Sequence, residues 1–231
     1  MSGNHHPRDA LSGLIDLVLP LRCPGCGAGG ISWCAGCSRE LGRLRRVDKP
    51  LSRVLPPAFA LGRYAGAPRR AVLAYKESGR RDLAGPFARA LAAGLRAAAD
   101  QLDPARTRAL WLVPAPSRSA AARRRGGSHM LRVARRCVPL LADAGRPAAV
   151  ADCLALRRGA RDSVGLGAHE RLRNLSRSLL LRTDRLPPEN SAAVLVDDVI
   201  TTAATAASCC SVLESAGAEP FAVVALTATA G

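Results

Sequence analysis

Short runs of consecutive apolar residues alternate along this chain with longer Ala-, Leu- and Arg-rich stretches. Segments 59–64 (FALGRY), 108–116 (RALWLVPAP), 151–158 (ADCLALRR), 191–198 (SAAVLVDD) and 221–227 (FAVVALT) have the length and composition of strands. Segment 193–196 is apolar throughout, as a strand buried on both faces of a parallel sheet should be. Between the strands, 68–78 predicts a helix opened by Pro68 and stopped near Gly79. Segment 83–100 predicts a second helix, kinked at Pro86, and 119–144 an Arg-rich helix or helix pair. Segment 202–217 predicts a helix closed by Gly217, and 182–192 a polar, Pro-containing connector. Strands alternating with helices imply right-handed βαβ units and a mainly parallel sheet flanked by helices.

The N-terminal part follows a different pattern. A short amphipathic leader helix reaches about Leu19, a cysteine-rich module spans 23–37, and a basic connector carries Arg43, Arg45, Arg46, Lys49 and Arg53. The division is therefore a leader and cysteine module over 1–48 and an α/β domain over 49–231. The 231 residues are 48% hydrophobic but only 3% aromatic, so the core must be aliphatic. No apolar run reaches transmembrane length, and the leader lacks the pattern of a signal peptide. These features predict a cytoplasmic protein without disulfides and without membrane insertion.

Net charge is +16, which favours anionic partners: nucleotides, sugar phosphates or nucleic acid. Lys49 and Lys76 are the only lysines, so much of the arginine reads as compositional bias on a solvated surface. That scarcity singles out Lys76. His129 and His169 read as surface or structural residues rather than proton shuttles.

Cys23, Cys26, Cys34 and Cys37 form a C-x2-C-x7-C-x2-C pattern. Two such pairs can give four thiolates to one tetrahedral ion, and a closed four-thiolate site is structural. Zinc is the expected ion. An iron–sulfur cluster and a metal-free thiol loop are the rivals. Cys137, Cys153, Cys209 and Cys210 read as small buried apolar residues.

The most specific stretch is 193–205, AVLVDDVITTAAT. Asp197 and Asp198 stand at the carboxyl end of a strand, where open α/β sheets bind ligands. Thr201, Thr202, Ala203, Ala204 and Thr205 then form a loop at a helix N-terminus, which suits a phosphate.

This stretch resembles the phosphoribosyl-pyrophosphate (PRPP) signature of type I phosphoribosyltransferases. In that family the acidic pair faces the ribose hydroxyls and the loop cradles the 5-phosphate, with Gly where this chain has Ala203. Three further segments resemble ComF-like competence proteins. Segment 113–129 (VPAPSRSAAARRRGGSH) resembles their VPVP…R…RGFNQ segment through Arg125 and Gly126; Gly127, Ser128 and His129 depart from it. Lys76 and Gly79 match a Lys-Tyr-x-Gly segment, with Glu77 in place of Tyr. Arg157, Leu166, Arg171 and Asn174 match an Arg-rich stretch that would form a mobile lid over 157–169. The cysteine module is also a feature of that family.

The resemblance implies a phosphoribosyltransferase-like fold and a protein that binds PRPP with Mg²⁺. Asp197 and Asp198 would be the catalytic pair, with Lys76, Arg125 and the 201–205 loop on the phosphates. Phosphoribosyl would pass to an unidentified nitrogen acceptor with release of pyrophosphate. No segment rich in base-stacking aromatics supports a purine or pyrimidine acceptor. Two other functions remain open: a DNA-uptake accessory protein binding single-stranded DNA or the competence machinery, and a PRPP sensor without chemistry. The resemblance also leaves room for a homo-oligomer.

Overall fold

The computed structural model describes residues 21–49, 55–103, 105, 107–117, 128–157 and 178–230. Its strands are β1 (Arg45–Arg46), β2 (Ala58–Arg63), β3 (Leu110–Pro114), β4 (Ala148–Val150), β5 (Leu154–Leu156), β6 (Leu179–Leu181), β7 (Ala192–Ile200) and β8 (Pro220–Ala228). Six of them form one sheet in the order β1-β2-β8-β7-β3-β4. Every pairing in it is parallel except the short edge strand β1, which runs antiparallel to β2. β5 and β6 form a separate antiparallel pair. The helices are α1 (Ala35–Ser38), α2 (Gly66–Glu77), α3 (Ala84–Leu102), α4 (His129–Asp143) and α5 (Ala204–Glu214).

The expected mixed α/β architecture is present, with differences that have physical causes. The connector contributes β1, because Arg45 and Arg46 point outward and only the backbone joins the sheet. Segment 151–158 is not a strand of the main sheet. β4 precedes it, and after Ala151 the chain turns away so that Cys153 and Leu154 can bury beneath α5 with Leu179. Pro86 makes no kink: it is the third residue of α3, where its missing N–H has no intrahelical partner to lose. The described part of the Arg-rich segment is α4, capped by Ser128, whose Oγ accepts from Leu131 N at 3.4 Å. The leader to Leu19 and segment 118–127 lie outside the described residues. Among the described residues, no helix is long and apolar enough to cross a membrane.

The sheet is buried on both faces by alternating residues. Val194 and Val196 join Leu110, Leu112, Val224 and residues of α3 and α4 in one core. Ala193 and Leu195 join Val113, Val223 and α5 in the other. The first core is continuous with the cysteine module: Trp33 packs edge-on to Phe87 with centroids 6.5 Å apart. Arg70 Nε donates to Gly25 O at 3.0 Å, and Arg80 Nη1 to Arg22 O at 2.9 Å. Gly62 permits a close backbone approach, since a Cβ there would lie 2.4 Å from Glu40 O.

From β3 the chain runs outward through α4 to β4, whereas from β7 it runs the opposite way through α5 to β8. The β3/β7 pair is thus the topological switch point, where a crevice opens beyond the carboxyl ends of the strands.

Candidate functional site

A cleft of about 420 Å³ lies at that switch point. Its lining includes Lys76 and Arg81, Ser117 beyond β3, His129 and Arg132 of α4, and Asp197, Asp198, Thr201 and Thr205. The strand alternation that builds the two cores also separates the adjacent carboxylates. Asp198 continues the Val194–Val196 face toward α2 and α4, and Asp197 continues the Ala193–Leu195 face toward α5. Both are buried, at 9% and 5% exposure for Asp197 and Asp198. β7 runs on to Ile200, so the pair sits inside the strand rather than facing solvent at its end.

Asp198 has two cationic or proton-donating partners. Lys76 Nζ is 2.8 Å from its Oδ1, and His129 Nε2 bonds its Oδ2. His129 is fixed from behind: its Nδ1 lies 2.9 Å from Ser117 Oγ, which is 3.1 Å from Ser128 Oγ. Tyr75 donates its hydroxyl to His129 O at 3.0 Å and stands edge-on to the imidazole. Burial alone would raise the Asp198 carboxyl, but the His129 hydrogen bond and the Lys76 charge outweigh it and hold the group below the ordinary carboxylate value. Lys76 shows the mirror image: burial opposes its charge, and Asp198 more than restores it, so its pKa is raised. Among the described residues, the close donor to Asp197 is the Asp198 backbone N–H, at 2.8 Å. Burial and the neighbouring Asp198 charge push its carboxyl up to about 7.

The loop after β7 makes a tight turn. Ala203 adopts φ 64° and ψ 5°, the left-handed conformation that glycine takes without strain, and immediately precedes α5. Thr201 and Thr205 line the cleft, while Ala203 and Ala204 are buried beneath it. Thr202 Oγ1 accepts from Ala204 N at 3.5 Å.

The structure thus brings Lys76, Asp197, Asp198, Thr201 and Thr205 to one cleft. Arg125 and the lid segment beyond Arg157 lie outside the described residues. Of the surface and structural readings of His129, the structural one fits: its side chain is 17% exposed and bonds Asp198. Ser117, His129, Arg81 and Arg132 were not singled out as site residues by sequence reading. Their only local signal was the Ser128 cap, which aims the first turn of α4 at the sheet.

The second site is the cysteine cluster. The four Sγ atoms of Cys23, Cys26, Cys34 and Cys37 lie within 4.8 Å of one another. Cys23–Cys34 is 3.8 Å and Cys26–Cys34 is 3.6 Å, close to the ~3.8 Å edge of a tetrahedron with zinc–sulfur bonds of about 2.3 Å. Sulfurs this close could hold one metal ion such as zinc. Burial raises the Cys23 thiol, but hydrogen bonds from the backbone of Cys34, Cys26 and Gly25 outweigh it and bring it down to about 6. Gly25 is required by space, since a Cβ there would lie 2.5 Å from Cys37 Sγ. Cys137, Cys153, Cys209 and Cys210 are buried, as expected.

No family model matches the chain, and no curated protein sequence matches it. Among solved structures it is similar to a hypoxanthine phosphoribosyl transferase of Trypanosoma cruzi, at 16% identity and a TM-score of 0.35, over 62% of this chain and 64% of that one. Alanine and asparagine variants at an invariant aspartic acid of HPRTs give 15% identity and TM-scores of 0.36, over 67% and 65% of their chains. The chain therefore spans about 64% of the length of the Trypanosoma cruzi protein. Likeness at this level carries no argument about substrate or residues.

Proposed function

We propose that this chain is a ComF-like phosphoribosyltransferase that binds PRPP in the switch-point cleft. The observation that carries this reading is the placement of Asp197 and Asp198 in that cleft, directly before a left-handed turn at Ala203 and the N-terminus of α5. The first turn of α5 and the hydroxyls of Thr201 and Thr205 suit the 5-phosphate. The carboxylates suit the ribose hydroxyls, and Lys76, Arg81 and Arg132 suit the pyrophosphate.

In the reaction, the lone pair of an acceptor nitrogen forms a bond to the anomeric carbon. The bond from that carbon to the pyrophosphate oxygen breaks, and pyrophosphate leaves with the electron pair. Cationic side chains already placed in the cleft stabilise the charge on the leaving group. The paired carboxylates are hard oxygen donors suited to Mg²⁺, which would be held by Asp197 and Asp198 together with substrate phosphates and would add charge neutralisation. Cys23, Cys26, Cys34 and Cys37 would hold a structural zinc that takes no part in the chemistry. A cytoplasmic setting, in which thiolate ligands stay reduced, belongs to this reading.

Calorimetric titration with PRPP, with and without Mg²⁺, tests the binding. A pyrophosphate-release screen over amine and base acceptors then separates a transferase from a sensor. Absence of PRPP binding with Mg²⁺ present would refute the reading.

A further inference from the structure

Both carboxylate oxygens of Asp198 are engaged by the cleft wall, one by Lys76 at 2.8 Å and the other by His129 Nε2. Further contacts hold the imidazole against Asp198 until a stronger partner competes for it. Ser117 holds its other nitrogen at 2.9 Å, and Tyr75 holds its backbone carbonyl at 3.0 Å. The Asp198 side chain is 7% exposed, so little of it remains beyond these two partners. A sugar hydroxyl reaching Asp198 must therefore compete with a charge-assisted hydrogen bond, the stronger kind. An anion in the same cleft changes that competition. Lys76 and His129 line the cleft beside Arg81 and Arg132, so a diphosphate among these groups offers Lys76 and His129 an alternative partner.

We propose that Lys76 and His129 gate Asp198: they keep its carboxylate closed to a sugar hydroxyl until a diphosphate draws them off, so that the cleft selects diphosphate-bearing sugar phosphates over the bare sugar phosphate. This inference rests on the PRPP reading and adds a specificity mechanism to it. Lys76 and His129 act on the sugar through Asp198 and are positioning residues in that role. The gate couples the two halves of the substrate. If pyrophosphate opens Asp198 to ribose, ribose must reciprocally favour pyrophosphate, because linkage is symmetric. Without a gate or a bridging cation, two anions in one cleft repel, and their coupling is unity or less.

The test measures ribose 5-phosphate affinity of the full chain by calorimetry, with and without saturating inorganic pyrophosphate, in Mg²⁺ and in Mg²⁺-free buffer. Pyrophosphate should tighten ribose 5-phosphate binding about tenfold, within the usual range of allosteric coupling. His129→Ala and Lys76→Met should each bring that factor at least threefold closer to unity. The gate is overturned if pyrophosphate leaves the affinity unchanged or weakens it. Ribose 5-phosphate binding that stays undetectable with pyrophosphate present also overturns it. Coupling that disappears without Mg²⁺ belongs to a bridging ion and overturns it too, as does coupling unchanged in both variants. Should the variants not fold, the wild-type measurements decide. PRPP binding without positive coupling sinks the gate alone, whereas no binding of PRPP or pyrophosphate sinks the PRPP reading with it.

Discussion

Lys76 Nζ lies 2.8 Å from Asp198 Oδ1 across 122 residues of sequence. Asp198 raises the lysine pKa, so the pair stabilises the fold fully below the ordinary lysine value of 10.5 and ceases to do so as pH rises through the raised value. The lysine side chain is 34% exposed, which weakens the pair relative to a fully buried one. Lys76→Met is expected to lose about 1–2 kcal/mol at pH 7. Urea denaturation checks this, and the gap from wild type should close in strongly alkaline solution.

The two neighbouring aspartates should respond to neutralisation with opposite signs. The Asp198 carboxyl is lowered, so its contribution is present above the ordinary value of 3.8 and is lost as pH falls through the lowered one. Asp198→Asn should cost about 1–3 kcal/mol at pH 7. Asp197 is raised to about 7, so between 3.8 and 7 the folded chain binds a proton that the unfolded chain lacks, and stability falls as pH rises. Asp197→Asn should gain about 1–3 kcal/mol at pH 8 and nothing below the ordinary carboxylate value. Denaturation curves at pH 8 and pH 3.5 separate the two.

Mg²⁺-PRPP affinity gives a third comparison. Either Asn variant should weaken it by about 1–3 kcal/mol, the scale of a charge-assisted hydrogen bond. A stability change with PRPP affinity intact would mean that the pair serves the fold alone.

For the cysteine cluster, purified protein should carry about one zinc per chain by metal analysis, as four thiolates on one ion require. Gly25→Ala places a methyl against Cys37 Sγ and should release the metal as effectively as Cys34→Ser. Release should also lower the melting temperature of the whole chain, because Trp33 and Cys37 share a core with Phe87 and Leu61. Protein purified without chelator yet free of zinc would contradict this.

At Ala203 the left-handed backbone costs an L-residue about 1–2 kcal/mol, offset in part by roughly 0.8 kcal/mol from its buried methyl. Ala203→Gly should therefore raise stability by up to about 1 kcal/mol. Ala203→Val, β-branched at positive φ, should lower it by about 2 kcal/mol or more. Thermal melts of the two variants check the order.

Local pattern sufficed wherever one segment contains its own cause. The apolar run 193–196 had to be a doubly covered strand, Gly79 and Gly217 ended helices at positive φ, and the cysteine spacing alone placed four thiolates around a point. The small residue Ala203 stands at the turn into α5, where the backbone is left-handed. Segment 151–158 misled, because apolar alternation does not say which partner a short strand will find. Partner choice came from the space under α5, which took Cys153 and Leu154 away from the sheet edge. The electrostatics of the site were equally invisible. Adjacent aspartates look equivalent in sequence, but the period of two in β7 sends them to opposite faces, one toward Lys76 and His129 and the other toward α5. Sequence therefore determined the strand, the turn, the four clustered thiols and the presence of two carboxylates. Only the tertiary structure decided that the Asp197 carboxyl is raised and the Asp198 carboxyl lowered, because burial and long-range partners, not residue type, set that balance.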